Sequence, residues 1–154
     1  MKQIWFDLYS RERGGRLDSS GFEHVFVGEV KNGEVSGLHN WIQLAMQEKM
    51  GELDFRGYIK PKGRDQSNSD SDDHLLSIQF RWKGVEKFVG TSFIGTSPEF
   101  EMALYTMCFL VGEEENSVDL NTGGDTFGLT IKCYRFNGNK IGTTFPEVTS
   151  HYED

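Results

Sequence analysis

Two histidines, His24 and His39, flank a stretch, residues 25–38, that reads as a tight β-hairpin. Asn32-Gly33 is a strong two-residue hairpin signal, because a type I′ turn needs positive φ at both central positions. With those residues at the tip, Lys31 faces Glu34, Glu29 faces Ser36, Val27 faces Leu38 and Phe26 faces His39. Side chains alternate along a strand, so His24 projects from the face of Phe26 and hence of His39, a diagonal spacing of roughly 7–8 Å. Imidazole titrates near ~6.5, so one ring accepts a proton while its neighbour donates one. Two such rings suit acid–base chemistry on opposite sides of a phosphate. Either histidine alone reads as a satisfied structural residue; their shared face shifts the balance.

Lys87 opens a strand whose direction brings it toward the same cleft, although alone it reads as a solvated strand-end lysine. Glu23 and Glu29 flank His24 and by parity point to the opposite face. That gives them a supporting or metal-linked role rather than direct attack on a substrate. Calcium-loop and zinc spacing, a phosphate-cradling glycine loop and a nucleophile elbow are all missing. His74 and His151 look incidental. Cys108 and Cys133 lie in apolar-patterned segments and read as buried free thiols.

The elements that must position these groups follow from pattern and punctuation. Ile4 to Tyr9 is an apolar-rich lead-in, followed by a polar Arg/Gly segment ending at Ser20-Gly21. After the hairpin, from about Phe22 to Leu38, Asn40 caps a helix running to about Met50, with Gln43 at the capping-box position and Gly51 as the stop. Residues 65–73 form an acidic, polar stretch that reads as an exposed loop, and Glu113-Glu114-Glu115 reads similarly. Leu75–Trp82 and Lys87–Ile94 pair as strands about a Lys83-Gly84 turn. Ser97-Pro98-Glu99 starts a helix that stops at Gly112. Phe127–Phe136 and Ile141–Phe145 form a last hairpin about residues 137–140. The expected fold class is α+β with mainly antiparallel sheets and a few α-helices.

At 154 residues, 36% of them hydrophobic, the chain is one ordinary domain, or two small lobes, with enough length to bury a core. No apolar run approaches a membrane span, and Met1–Trp5 has no secretory h-region. The net charge of −8 argues against sequence-independent nucleic-acid binding, which relies on cationic contacts to phosphates. It leaves room for a site that holds a few nucleotides through a local cationic cluster.

The segments Asp18–Glu29 and Gly37–Ile42 closely resemble the EndoU (XendoU-like) family of poly(U)-specific endoribonucleases. So do Gln79–Trp82, Phe93–Glu101, Leu104–Thr106 and Ile141–Pro146, and the resemblance runs from about Trp5 to Pro146. It implies an EndoU-like catalytic domain over 1–154, without the N-terminal subdomain of longer members. It also implies cleavage of single-stranded RNA at uridines by 2′-hydroxyl attack, giving 2′,3′-cyclic phosphate and 5′-hydroxyl ends. The family's catalytic residues carry over as His24, His39 and Lys87, with His39 as base and His24 as acid by analogy or the two roles exchanged, and its acidic pair as Glu23 and Glu29. Thr143, Thr144 and Phe145 fall where relatives contact uracil or support the site. Thr91 sits where a distantly related coronaviral uridylate-specific nuclease has a base-reading serine. Stimulation by Mn2+ is implied, with no ligand set assigned. The expected partner is uridine-containing RNA, with no membrane and a monomer favoured. Two other classes stay open: a uridine-rich RNA-binding module with little turnover, and a carboxylate–metal nuclease using Glu23 and Glu29.

Overall fold

The computed structural model describes residues 1–59, 74–121 and 126–148. A short helix α1 (Lys2–Trp5) is followed by a single π-helical turn (Glu23–Val27) and a small hairpin, β1 (Glu29–Lys31) and β2 (Glu34–Ser36). Then come α2 (Trp41–Lys49), β3 (Leu53–Tyr58), β4 (Leu75–Trp82), β5 (Val85–Phe93) and α3 (Pro98–Val111). The chain continues through β6 (Glu115–Asn121), β7 (Thr126–Phe136) and β8 (Lys140–Val148). The strands form three antiparallel sheets, β1-β2, β3-β4-β5 and β6-β7-β8, so the expected α+β class with mainly antiparallel sheets holds.

Most boundaries obey their local signals. Asn40 caps α2 by accepting from the Gln43 amide at 3.1 Å, and Ser97 caps α3 through the Phe100 amide at 3.2 Å, with Pro98 at the first helical position. Two strands escaped the sequence reading. β3 pairs with β4 through a bulge at Arg56, and β6 begins inside the acid-rich 113–115 segment taken for a loop. β6 alternates, with Val118 and Leu120 against the core and most of its polar residues toward water, but two apolar positions are too few to announce a strand. The 65–73 stretch and His151 lie outside the described residues.

The hairpin forecast over 22–38 needs correction. Its tip has the predicted register, Glu29 opposite Ser36 and Lys31 opposite Glu34, with Asn32 and Gly33 both at positive φ. Below the tip the strand gives way to the π turn, closed by the Gly28 amide on the Glu23 carbonyl at 2.7 Å. His24 is therefore not a strand residue, and the parity argument built on it fails. The facing pairs are replaced by two backbone bonds, Leu38 N–H to the His24 carbonyl at 2.9 Å and His39 N–H to the Val25 carbonyl at 2.7 Å.

Two apolar clusters meet around this segment. Trp5, Val25, Phe26, Phe93, Tyr105, Ile131 and Ile141 belong to one, and Leu38, Leu44, Leu53, Ile78, Phe80 and Trp82 to the other. His24 adjoins Val25 of the first cluster, and His39 adjoins Leu38 of the second. The two candidate histidines thus each neighbour, along the chain, a residue of a different apolar cluster.

Candidate active site

The π turn carries His24 into a charged pocket. Its Nδ1 lies 2.9 Å from Glu29 Oε2, and Ser36 Oγ is 3.4 Å from the same nitrogen. Arg11 also grips Oε2 through Nε at 3.0 Å, donates to Ser19 Oγ, and reaches the Gly142 carbonyl on β8 at 2.7 Å. Lys31 Nζ is 3.3 Å from Oε1, an ion pair rather than a hydrogen bond. Burial works to raise the Glu29 carboxyl. The His24 and Ser19 hydrogen bonds and the Arg11 charge outweigh it and hold the group at about 2. Burial pushes His24 below its ordinary range, and the Glu29 hydrogen bond pulls against that. Glu29 therefore faces His24, contrary to the parity reading. Glu23 is half-buried, and none of the contacts at His24 comes from its side chain.

His39 sits in a different medium. It is buried, and its Nδ1 lies 2.8 Å from the Thr91 carbonyl on β5. A carbonyl only accepts, so Nδ1 carries the proton and Nε2 keeps its lone pair free. Ser92 Oγ donates to the His39 carbonyl at 2.8 Å, and Phe145 of β8 stacks on the ring with centroids 4.8 Å apart. Burial, and then the Lys87 charge, hold this imidazole well below its ordinary value.

Lys87, on β5, donates to the Gly37 carbonyl, and its charge acts on both imidazoles. Burial brings its ammonium down to about 8. Gly37 itself is in the left-handed region at φ 68, and a Cβ there would sit 1.8 Å from the His24 carbonyl oxygen. Leu38 follows at φ 63, fully buried; this unfavourable backbone for a leucine is held by the packing around it.

The remaining predicted positions divide. On β8, Thr143 and Phe145 occupy the face toward His39, and the Thr143 hydroxyl is buried without a hydrogen-bond partner. Thr144 pairs with Cys133, is fully buried and faces the core. Thr91 contributes its backbone carbonyl to His39. The sequence reading missed Arg11 and Ser36. Ser36 was legible as the hairpin partner of Glu29, whereas nothing in the spacing of the Arg11–Arg16 segment marked Arg11. Cys108 and Cys133 are buried free thiols, as expected. His74 stacks on Phe127 with centroids 5.2 Å apart.

Among the described residues no group of three or more His, Cys, Asp or Glu side chains has the arrangement to hold a metal ion. The Glu29 carboxylate is already shared among His24, Arg11 and Lys31. The site residues do not fit a resident divalent metal.

Residues 1–146 match the family model described as Endoribonuclease XendoU. The chain is 49% identical over 148 residues to Poly(U)-specific endoribonuclease-A of Xenopus laevis, spanning 96% of this chain and 49% of that one. It is 46% identical over 145 residues to Uridylate-specific endoribonuclease B of Danio rerio, covering 94% of this chain and 50% of the relative. A solved structure of XendoU, described as a splicing-independent snoRNA-processing endoribonuclease, superposes with a TM-score of 0.72 at 44% identity. That match covers 97% of this chain and 54% of the other. The chain spans about half the length of the curated relatives it matches.

Proposed function

The chain belongs to the XendoU family of endoribonucleases, and we propose that residues 1–154 are a catalytic domain that cleaves single-stranded RNA at uridines. The ribose 2′-hydroxyl attacks its own phosphodiester, leaving a 2′,3′-cyclic phosphate and a 5′-hydroxyl. One observation carries the assignment of roles: the two imidazoles make opposite second contacts, one to a carboxylate and one to a carbonyl.

His39 is neutral, with Nδ1–H committed to Thr91 and Nε2 open to accept the 2′-hydroxyl proton. His24 gives Nδ1–H to Glu29, whose negative charge favours the imidazolium, so Nε2–H is the donor to the departing 5′-oxygen. Lys87 brings a cation to the charge that builds on the phosphorane oxygens. The β8 face bearing Thr143 and Phe145 lies beside His39 and is the surface that meets the uracil, with Thr91 holding His39 through its backbone carbonyl. Thr144, which faces the core, supports that surface from behind. The described residues form no ligand set for manganese, and His39, His24 and Lys87 carry the proton transfers and charge stabilisation themselves.

The test is a short RNA with one uridine, incubated with and without Mn2+ and followed by end-group analysis. A cyclic phosphate and a 5′-hydroxyl are expected, and a 2′-deoxyuridine at the scissile position stops cleavage while binding persists. A 5′-phosphate product, or unchanged cleavage of the deoxy substrate, points to water attack. Binding without product would make the chain a uridine-rich RNA-binding module.

A further inference from the structure

The stretch Thr96–Glu101 matches the family pattern, yet the mechanism above uses none of it. Within it Glu101 is fully buried, one turn into α3, and among the described residues no cation pairs with it. Its Oε1 accepts from Thr96 Oγ1 at 2.7 Å and, at the outer limit of a hydrogen bond, from Asn40 Nδ2 at 3.5 Å. Its Oε2 is buried without a partner, as is the Tyr105 hydroxyl one helical turn further on. Burial raises the carboxyl to about 7, with the Thr96 and Asn40 bonds working against that rise. A carboxyl group in this setting is costly to keep, and a plain packing role would be filled better by an apolar side chain.

Its position shows what it holds. His39, Asn40 and Trp41 are consecutive, and each is tied to the β5–α3 segment. His39 Nδ1 bonds to the Thr91 carbonyl, Asn40 Nδ2 to Glu101, and Trp41 Nε1 to the Thr96 carbonyl at 2.8 Å. Asn40 also bridges in parallel to Phe93, and its Oδ1 caps α2. The middle tie is the one made by side chains at both ends.

We propose that Glu101 is a positioning residue: by holding the Asn40 amide and the Thr96 hydroxyl together, it fixes the backbone that aims the His39 imidazole. The inference rests on the catalytic reading of His39, but its test has a readout that does not. Histidine ring nitrogens are followed by 1H–15N correlation in the intact chain, alongside kcat and KM on the uridine RNA. In the parent protein His39 gives the neutral form protonated at Nδ1. Glu101→Ala loses that single form while His24 keeps its signals, and kcat falls by about tenfold with KM within about twofold, the scale of one hydrogen bond to a charged group. Glu101→Gln keeps the accepting oxygen and restores both the His39 signals and kcat. Asn40→Ser retains a capping oxygen for α2 and removes only the donor to Glu101, so it reproduces Glu101→Ala. It also decides the matter should Glu101→Ala not fold. Unchanged His39 signals in Asn40→Ser, or a Glu101→Gln protein as impaired as Asn40→Ser, overturn the proposal. A parent protein that does not cut RNA refutes the catalytic reading and leaves the ring signals to decide the positioning role.

Discussion

The His24 end of the site is made of nearby chain: a π turn, one glycine and a three-residue strand bring Glu29 back onto His24 from five residues away. Its groups are charged, with Arg11 and Lys31 converging on the same carboxylate. The His39 end is assembled from β5, β8 and the start of α2, across more than fifty residues of chain. Its ring meets a carbonyl, an aromatic face and no carboxylate. The contrast shows how one residue type is given two proton affinities. Burial lowers both imidazoles; at His24 the Glu29 carboxylate pulls back toward imidazolium, and at His39 burial and the Lys87 charge favour the neutral ring.

The widest breach in that comparison is removal of either ring. His24→Ala and His39→Ala should each lower kcat by ~10²–10⁴-fold with the fold retained. Single-turnover cleavage with circular dichroism checks this, and near-parent turnover in either variant removes that residue from the mechanism.

Glu29→Gln separates the two ends. It takes the negative charge from His24 and leaves His39 alone, so kcat drops by about ten- to a hundredfold, the worth of a hydrogen bond to a charged group. Because the carboxylate raises the His24 affinity for protons, its loss moves the alkaline limb of the kcat profile to lower pH. A profile of unchanged shape would mean that Glu29 holds the loop and not the proton.

Lys87 sharpens the alkaline side. Held at about 8 by burial, it loses its cation as pH rises through that value, so kcat at saturating RNA falls there. On the acid side, activity appears as His39 gives up its proton, below the ordinary histidine range. The fall near pH 8 comes after the His24 limb, so Lys87→Arg, which keeps its charge at all accessible pH, abolishes this second fall and leaves the His24 limb where it was. A limb that stays near pH 8 in this variant belongs to another group.

The smallest effect concerns base choice. Thr143→Val should reduce the ratio of kcat/KM between RNAs with uridine and cytidine at the scissile position, by more than it reduces total cleavage. The Thr143 hydroxyl is buried without a hydrogen-bond partner, on the β8 face of Phe145, whose ring stacks on His39. Valine keeps the β-branched shape on β8. An unchanged ratio would move base reading to Phe145, Thr91 or backbone amides.

What the sequence made legible was whatever a short-range rule governs. Asn40, Ser97-Pro98, Asn32-Gly33 and the β7–β8 turn each imposed the boundary their chemistry predicts. Lys87 and the histidines were legible through family pattern and one hairpin tip. The parity assigned to His24 failed because residues 23–27 form a helical turn, in which side chains do not alternate between two faces as they do along a strand. Arg11 was invisible for a different reason. Its partners, Glu29 and the Gly142 carbonyl, lie far along the chain, and no local pattern encodes such a contact.

Gly37 carries a consequence for mutational tolerance. Its missing side chain lets the His24 carbonyl approach, and its own carbonyl receives the Lys87 ammonium. Any substitution there, alanine included, must push the two histidine-bearing segments apart and move the seat of the lysine with them. A residue with no reactive atom therefore behaves in a mutational scan like a member of the active site. It is recessive to chemistry and dominant over geometry, and no search by side-chain reactivity would find it.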